Sequence, residues 1–85
     1  MSYRVSVGRS AERPLRRNIP PAQAGRIRQA IDALSKDPRP RDSRKLRGRE
    51  GYRLRVGGYR IIYRVDDEER VVTILEVWHR QRDYR

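Results

Sequence analysis

Arg53, Arg55 and Arg60 are the residues whose types and spacing point most directly to chemistry. They sit in YRLRVGGYRIIY, from Tyr52 to Tyr63, where apolar and basic residues alternate on both sides of Gly57-Gly58. Strict alternation describes a strand with one buried face and one wet face. A Gly-Gly pair suits a two-residue hairpin, because primed turns need positive φ and glycine adopts it without steric cost. Such a turn sets the register: Val56 faces Tyr59, Arg55 faces Arg60, Leu54 faces Ile61 and Arg53 faces Ile62. Leu54, Val56, Tyr59 and Ile61 then share one face, and the three arginines share the other. Like charges directly opposite across strands are destabilising. The Arg55–Arg60 pairing therefore suggests an anion between them, with a solvated basic face as the plain alternative.

The composition agrees with an anionic partner. The 85 residues hold 22 basic against 11 acidic side chains, a formal charge of +11, which points to nucleic acid, an anionic surface or an acidic protein. Only Lys36 and Lys45 are lysines; the other basic residues are arginines, which bind phosphate bidentately and stack on bases. A compositional bias toward arginine would produce the same excess. The absence of cysteine excludes disulfides and thiolate metal sites, and the single His79 excludes a histidine cluster, so no metal or cofactor is expected. No apolar run approaches the roughly 20 residues of a membrane span, and the N-terminus lacks the apolar core of a signal peptide. The expectation is one small intracellular domain spanning residues 1–85, with a modest core of Val, Ile, Leu, Tyr and Ala.

The elements that must position the arginines follow from periodicity. Tyr3 to Val7 alternates as a first strand. Ser10 can cap a short helix from Ala11 to Arg17, in which Pro14 removes an intrahelical bond. Pro20-Pro21 opens a second helix to Lys36, with Ala24, Ile27, Ala30, Ile31 and Leu34 as its apolar stripe. Asp37-Pro38 stops it. A polar, proline-broken loop (PRPRDSR, Pro38 to Arg44) leads to Lys45–Gly48, a candidate edge strand. The hairpin follows, then the acidic turn Asp66–Glu69 and a β-branched strand from Arg70 to His79. The order β-α-α-β-β-β, with one further strand if Lys45–Gly48 pairs, predicts an α+β fold. Two N-terminal helices pack on one face of an antiparallel sheet, leaving the other face for a ligand.

Together these segments resemble the RelE/ParE superfamily of type II toxins, and the RelE-like mRNA interferase branch in particular. The likeness is carried by IDALSKDPRP (Ile31 to Pro40), KLRG (Lys45 to Gly48), YRLRVGGYRIIYRVDDEERVV (Tyr52 to Val72) and VWHRQRDYR (Val77 to Arg85). The resemblance implies a cytoplasmic, bacterial or archaeal, metal-free endoribonuclease that cleaves mRNA in the ribosomal A site. A ribose 2′-hydroxyl attacks the adjacent phosphate, giving a 2′,3′-cyclic phosphate and a 5′-hydroxyl. The basic residues of the family's hairpin strands fall on Arg53, Arg55 and Arg60, its arginine after the last strand on Arg80, and its C-terminal tyrosine on Tyr84. Lys45, Arg47, Arg82 and Arg85 are expected to assist RNA binding. The resemblance also implies a cognate antitoxin that wraps the toxin with an extended, partly acidic segment. Operator DNA is met only through that antitoxin.

Transesterification needs a base for the 2′-oxygen proton, an acid for the leaving 5′-oxygen and cations for the phosphorane. The arginines supply the cations, and Tyr84 can stack on a base. The base is not obvious. The family often carries lysine at the positions of Arg53 and Arg55, and arginine is a poor proton acceptor. His79, Tyr84 and Glu50 are the candidates, His79 being the side chain that ordinarily titrates near neutrality, although a histidine at a strand end is commonly structural. Parity raises a further question. Val71, Thr73, Leu75, Val77 and His79 alternate with Val72, Ile74, Glu76, Trp78 and Arg80. An even turn after Val65 puts Val71 on the side of Arg60, whereas an odd, bulged turn puts Arg80 there. The same fold without a working base would act as a ParE-like inhibitor of DNA gyrase, or as an inactive antitoxin-binding regulator.

Overall fold

The fold comes from a computed structural model of the chain, which describes residues 2–80. The expectations for Arg82, Tyr84 and Arg85 therefore lie outside the described residues. Two helices and five strands follow in the order β1 (Arg4–Val7), α1 (Arg9–Arg17), α2 (Pro21–Ala33), β2 (Ser43–Lys45), β3 (Tyr52–Val56), β4 (Tyr59–Asp66) and β5 (Val71–His79). The strands form one sheet in the order β1-β5-β4-β3-β2. The α+β architecture is the one expected, but the sheet is mixed. β1 runs parallel to β5, pairing Val5 with Val72 and Val7 with Ile74. Alternation in Tyr3 to Val7 shows which residues share a face and carries no information about strand direction, so an all-antiparallel sheet was the simpler expectation.

The hairpin register is the predicted one, with Val56 opposite Tyr59, Arg55 opposite Arg60 and Arg53 opposite Ile62. Gly57 has φ +58° and Gly58 is not among the positive-φ glycines, the pattern of a type II′ turn. Tyr52, Leu54, Val56, Tyr59, Ile61 and Tyr63 face the helices, where they pack with Leu15, Ile27, Ile31 and Leu34. Complete burial of Ile27, Ile61 and Ile74 contributes roughly 1.5–3 kcal/mol each relative to exposure.

The helix boundaries shift from those expected. α1 begins at Arg9, and its N-cap is Gly8 with no side-chain capping bond, so Ser10 lies inside the helix. A Cβ on Gly8 would stand 2.9 Å from the Ile74 carbonyl oxygen, so the tight exit from β1 selects glycine there. Pro14 lies within α1 at a cost of about 3 kcal/mol. Burial of Ala11 and Leu15 against the core offsets it. α2 ends at Ala33, and the expected last turn continues as tighter bonds from Leu34, Ser35 and Lys36 to the carbonyls of Ile31, Asp32 and Ala33. The edge strand is Ser43–Lys45 rather than Lys45–Gly48. Beyond it Gly48 (φ +76°) and Gly51 (φ +124°) turn the chain back, and the Leu46 N–H donates to Gly51 O at 3.0 Å. No helix among the described residues is long and apolar enough to cross a membrane.

β5 answers the parity question in an unexpected way. The turn after Asp66 is even, because Asp66 pairs with Val71 and Arg64 with Thr73. The change of side occurs within the strand: Tyr63 pairs with Ile74 and Ile62 with Glu76, so Leu75 is an extra, bulged residue. Before the bulge Val72 and Ile74 face the helices; after it Val77 does. Glu76 and Trp78 therefore point to the face that carries Arg53, Arg55 and Arg60.

Candidate nucleic-acid interface

The face away from the core carries two rows of side chains across the strands. One row is Arg55, Arg60 and Trp78; the other is Arg44, Arg53, Ile62 and Glu76. Adjacent strands lie about 4.8 Å apart, so the second row spans roughly 14 Å. Arg55 is exposed, whereas Arg53 and Arg60 are half-buried, their stems lying along the sheet. Arg80 follows the end of β5, is exposed, and donates its backbone N–H to Gly58 O at 2.7 Å. That bond holds Arg80 beside the hairpin turn, at the same end of the sheet as Arg55 and Arg60.

His79 goes to the other face. It pairs with Tyr59, and the two rings meet edge-on with centroids 5.0 Å apart. Its imidazole also lies against the turn, where a Cβ on Gly58 would stand 3.1 Å from Nε2. The bulge that turns Glu76 and Trp78 outward turns His79 toward the helices, so His79 does not share a face with the arginines. Glu50 lies away from the hairpin turn, in a concavity with Arg64, Asp66 and Glu68 at the opposite end of the sheet. The carboxylate nearest in register to Arg60 is Glu76, which sequence reasoning did not single out. Its membership of the parity set of Trp78 and Arg80 was the available signal. Glu76 Oε2 is 4.0 Å from Arg49 Nη2. Glu76 Oε1, Trp78 Nε1 and Arg53 Nε are buried without a hydrogen-bond partner in the protein.

The basic face extends to the sheet edge. Arg41, Asp42, Arg44, Arg53 and Arg55 line a concavity of about 410 Å³. Arg44, Lys45, Leu46, Arg47 and Arg53 line another of about 440 Å³, which places Lys45 and Arg47 beside Arg53. Arg41 and Arg44 were hidden in the PRPRDSR loop because nothing in its composition fixes where the loop lies.

A hydrogen-bonded clamp fixes that loop. Arg39 donates to both carboxylate oxygens of Asp67, at 2.7 and 3.3 Å, and through Nε to Tyr52 Oη at 2.9 Å. Its guanidinium lies 5.3 Å from the Tyr52 ring centroid, and Tyr52 stacks on Tyr63 at 5.7 Å. Tyr63 is fully buried and donates its hydroxyl proton to Pro38 O at 2.8 Å; burial pushes its pKa up. Arg39, and then the Tyr3 hydroxyl that donates to Oδ1 at 2.6 Å, hold the Asp67 carboxyl below its usual range. The Ser43 N–H and hydroxyl both donate to Pro40 O, at 2.9 and 2.7 Å, closing the loop into β2.

Known proteins resemble this chain in sequence and in fold. Residues 9–84 match the family model described as the ParE toxin of the type II toxin–antitoxin system parDE. Toxin RelG of Mycobacterium tuberculosis is 37% identical over 89 residues, covering 100% of this chain and 99% of that protein. The RelBE2 toxin–antitoxin complex of Mycobacterium tuberculosis superposes with a TM-score of 0.83 at 34% identity, covering 94% of this chain and 100% of the matched one. The archaeal RelE–RelB complex of Pyrococcus horikoshii gives 0.82 at 35% identity, covering 96% and 99%.

Proposed function

Since this chain belongs to the ParE toxin family of type II toxin–antitoxin systems, within the RelE/ParE superfamily, we propose that it is a ribosome-dependent mRNA endoribonuclease. Cleavage proceeds by attack of a ribose 2′-oxygen on the adjacent phosphorus. The P–O5′ bond breaks, leaving a 2′,3′-cyclic phosphate on one fragment and a 5′-hydroxyl on the other. The observation that carries this function is the sheet face away from the helices, on which Arg55 and Arg60 stand directly opposite one another, with Arg80 tied to the turn beside them. Guanidinium groups so placed neutralise the charge that accumulates on a phosphorane, an effect worth roughly 10²- to 10³-fold in rate per preorganised donor.

Arg53 and Arg55 grip the backbone on β3, Arg60 and Arg80 bear on the scissile phosphate, and Tyr84 stacks on a base. No metal is invoked, because the arginines supply the positive charge. Glu76 accepts the 2′-hydroxyl proton in place of His79, and solvent water protonates the leaving 5′-oxygen; His79 serves instead to pack against Tyr59. The ribosome orients the mRNA for in-line attack, which lowers what the protein's own groups must supply. A cognate antitoxin is the partner that restrains the activity in the cytoplasm, as in the toxin–antitoxin complexes that share this fold.

Primer extension on translating ribosomes tests the assignment. Wild type is expected to cut within codons, and the Arg60→Ala/Arg80→Ala double variant to lose cleavage. Equal cleavage by both would discard the site, and intact mRNA with wild type would discard the activity. A second function is favoured by one observation: His79, the single histidine of the sequence, faces away from the arginines. A gyrase-directed inhibitor needs no base, and loss of gyrase supercoiling with mRNA left intact would select it.

A further inference from the structure

The concavity lined by Arg41, Asp42, Arg44, Arg53 and Arg55 has a role beyond the scissile phosphate. We propose that it is a second phosphate subsite, which holds an internucleotide phosphate of the same RNA chain one link away from the bond that is cut. The identity of the strand rests on the nuclease function proposed above; the phosphate chemistry rests on this site alone.

Charge is the first support. Four guanidinium groups meet one carboxylate, and among the described residues none of the five forms an ion pair within 4.0 Å. Arg44 stands directly opposite Arg53, a like-charge pair that is destabilising unless an anion comes between the two guanidinium groups. Preorganisation is the second support. Arg44, Arg53 and Arg55 are on strands, and Arg41 follows Pro40, whose carbonyl accepts two hydrogen bonds from Ser43. The Arg39–Asp67 and Tyr63–Pro38 bonds hold the same loop from its other end. The backbone that carries the arginines is thus fixed before an anion arrives, and only the side chains, exposed at Arg41, Arg44 and Arg55, remain to be ordered.

The chemistry fits a phosphodiester. Arginine forks match phosphate oxygens in pairs, and no aromatic or aliphatic side chain lines the concavity to receive a base. Its place fits as well. β2 is two strand steps, about 10 Å, from the β4 strand that carries Arg60. A chain crossing the sheet from Arg80 toward Arg44 meets both sites in turn. Asp42 opposes an anion here, so its removal should strengthen binding.

The test is fluorescence anisotropy of a single-stranded 2′-O-methyl RNA, which lacks the attacking hydroxyl and so reports binding alone. In Arg41→Gln/Arg44→Gln, affinity should fall about tenfold. The slope of log K against log salt should become shallower by about 0.7, the share of one phosphate contact on a single strand. Arg41→Lys/Arg44→Lys should restore the slope, which a folding defect would not do, and Asp42→Asn should tighten binding. Wild-type affinity and slope in the glutamine variant would overturn the subsite, even with mRNA cleavage on ribosomes intact. Loss of binding to a poly-aspartate peptide with RNA binding unchanged would overturn it too, by reassigning the concavity to carboxylates. The expected shifts together with no cleavage by wild type would leave the subsite standing and remove the nuclease function.

Discussion

Replacing Arg53 by methionine should make the protein more stable and less active. Arg53 faces Arg44 across the β2–β3 ladder, and relief of a directly opposed like-charge pair is worth roughly 0.2–1 kcal/mol. Its Nε is buried with no partner in the protein, and an unsatisfied buried donor costs roughly 1–3 kcal/mol. Methionine keeps an unbranched stem of similar reach and discards both penalties, while some packing of the guanidinium is lost. The expected net gain is about 1–2 kcal/mol. For a domain of this size each kcal/mol moves the melting temperature by about 4–8 °C, so Tm should rise by roughly 4–16 °C. Cleavage should fall by about tenfold, the loss of one charge-assisted phosphate contact. Thermal unfolding at about 0.05 M and 0.5 M salt separates the two contributions, because added salt screens the repulsion and leaves the buried-donor part. A lower Tm for Arg53→Met at both salt concentrations would refute the account: Arg53 would then be a stabilising side chain, and the case for an arginine row held for a ligand would lose its energetic basis.

Three further outcomes are expected. Tyr63→Phe strands the Pro38 carbonyl that the hydroxyl now satisfies; urea unfolding should show a loss of about 1–2 kcal/mol, together with weaker RNA binding as the loop carrying Arg41 and Arg44 loosens. Gly51→Ala puts a Cβ at φ +124° and 2.8 Å from the Tyr63 carbonyl oxygen, and should lower stability by roughly 2 kcal/mol or more in the same measurement. Asp67 has a folded-state pKa below its ordinary 3.8, so its contribution is present above that value and is lost as pH falls through the depressed one. Stability measured from pH 5 to about pH 2 should therefore decline less steeply in Asp67→Asn than in wild type, with the difference shrinking in salt because the pair is exposed.

The hairpin was legible because two independent signals, alternation and a Gly-Gly turn, specify the same register. The stripe from Ala24 to Leu34 likewise identified the face of α2 that covers Leu54 and Ile61. Three features were not legible, each for a physical reason. The β1–β5 pairing joins residues more than sixty apart, and local patterning does not encode the direction of such a contact. The bulge at Leu75 leaves no compositional mark: Val, Ile and Leu run through it, and either parity is apolar enough to face a core. It is this bulge that sends Glu76 and Trp78 to the arginine face and His79 away from it. The basic concavity at the sheet edge depends on where a polar loop is tied. The tie is made by Arg39, Tyr63 and Asp67, which read in the sequence as an ordinary charged residue, a core aromatic and part of an acidic turn.

The seating of β5 between β1 and β4 bears on how such a protein is made. β5 is the last of the elements in chain order, yet it is a central member of the sheet. As the polypeptide leaves its own ribosome, β1 must wait without its neighbour until the final strand has emerged, and contacts so distant in sequence form slowly. Arg80 reaches the turn only at that same moment. The sheet, and with it the full row of side chains from β2 to β5, is therefore complete only once the last described strand has been made and docked.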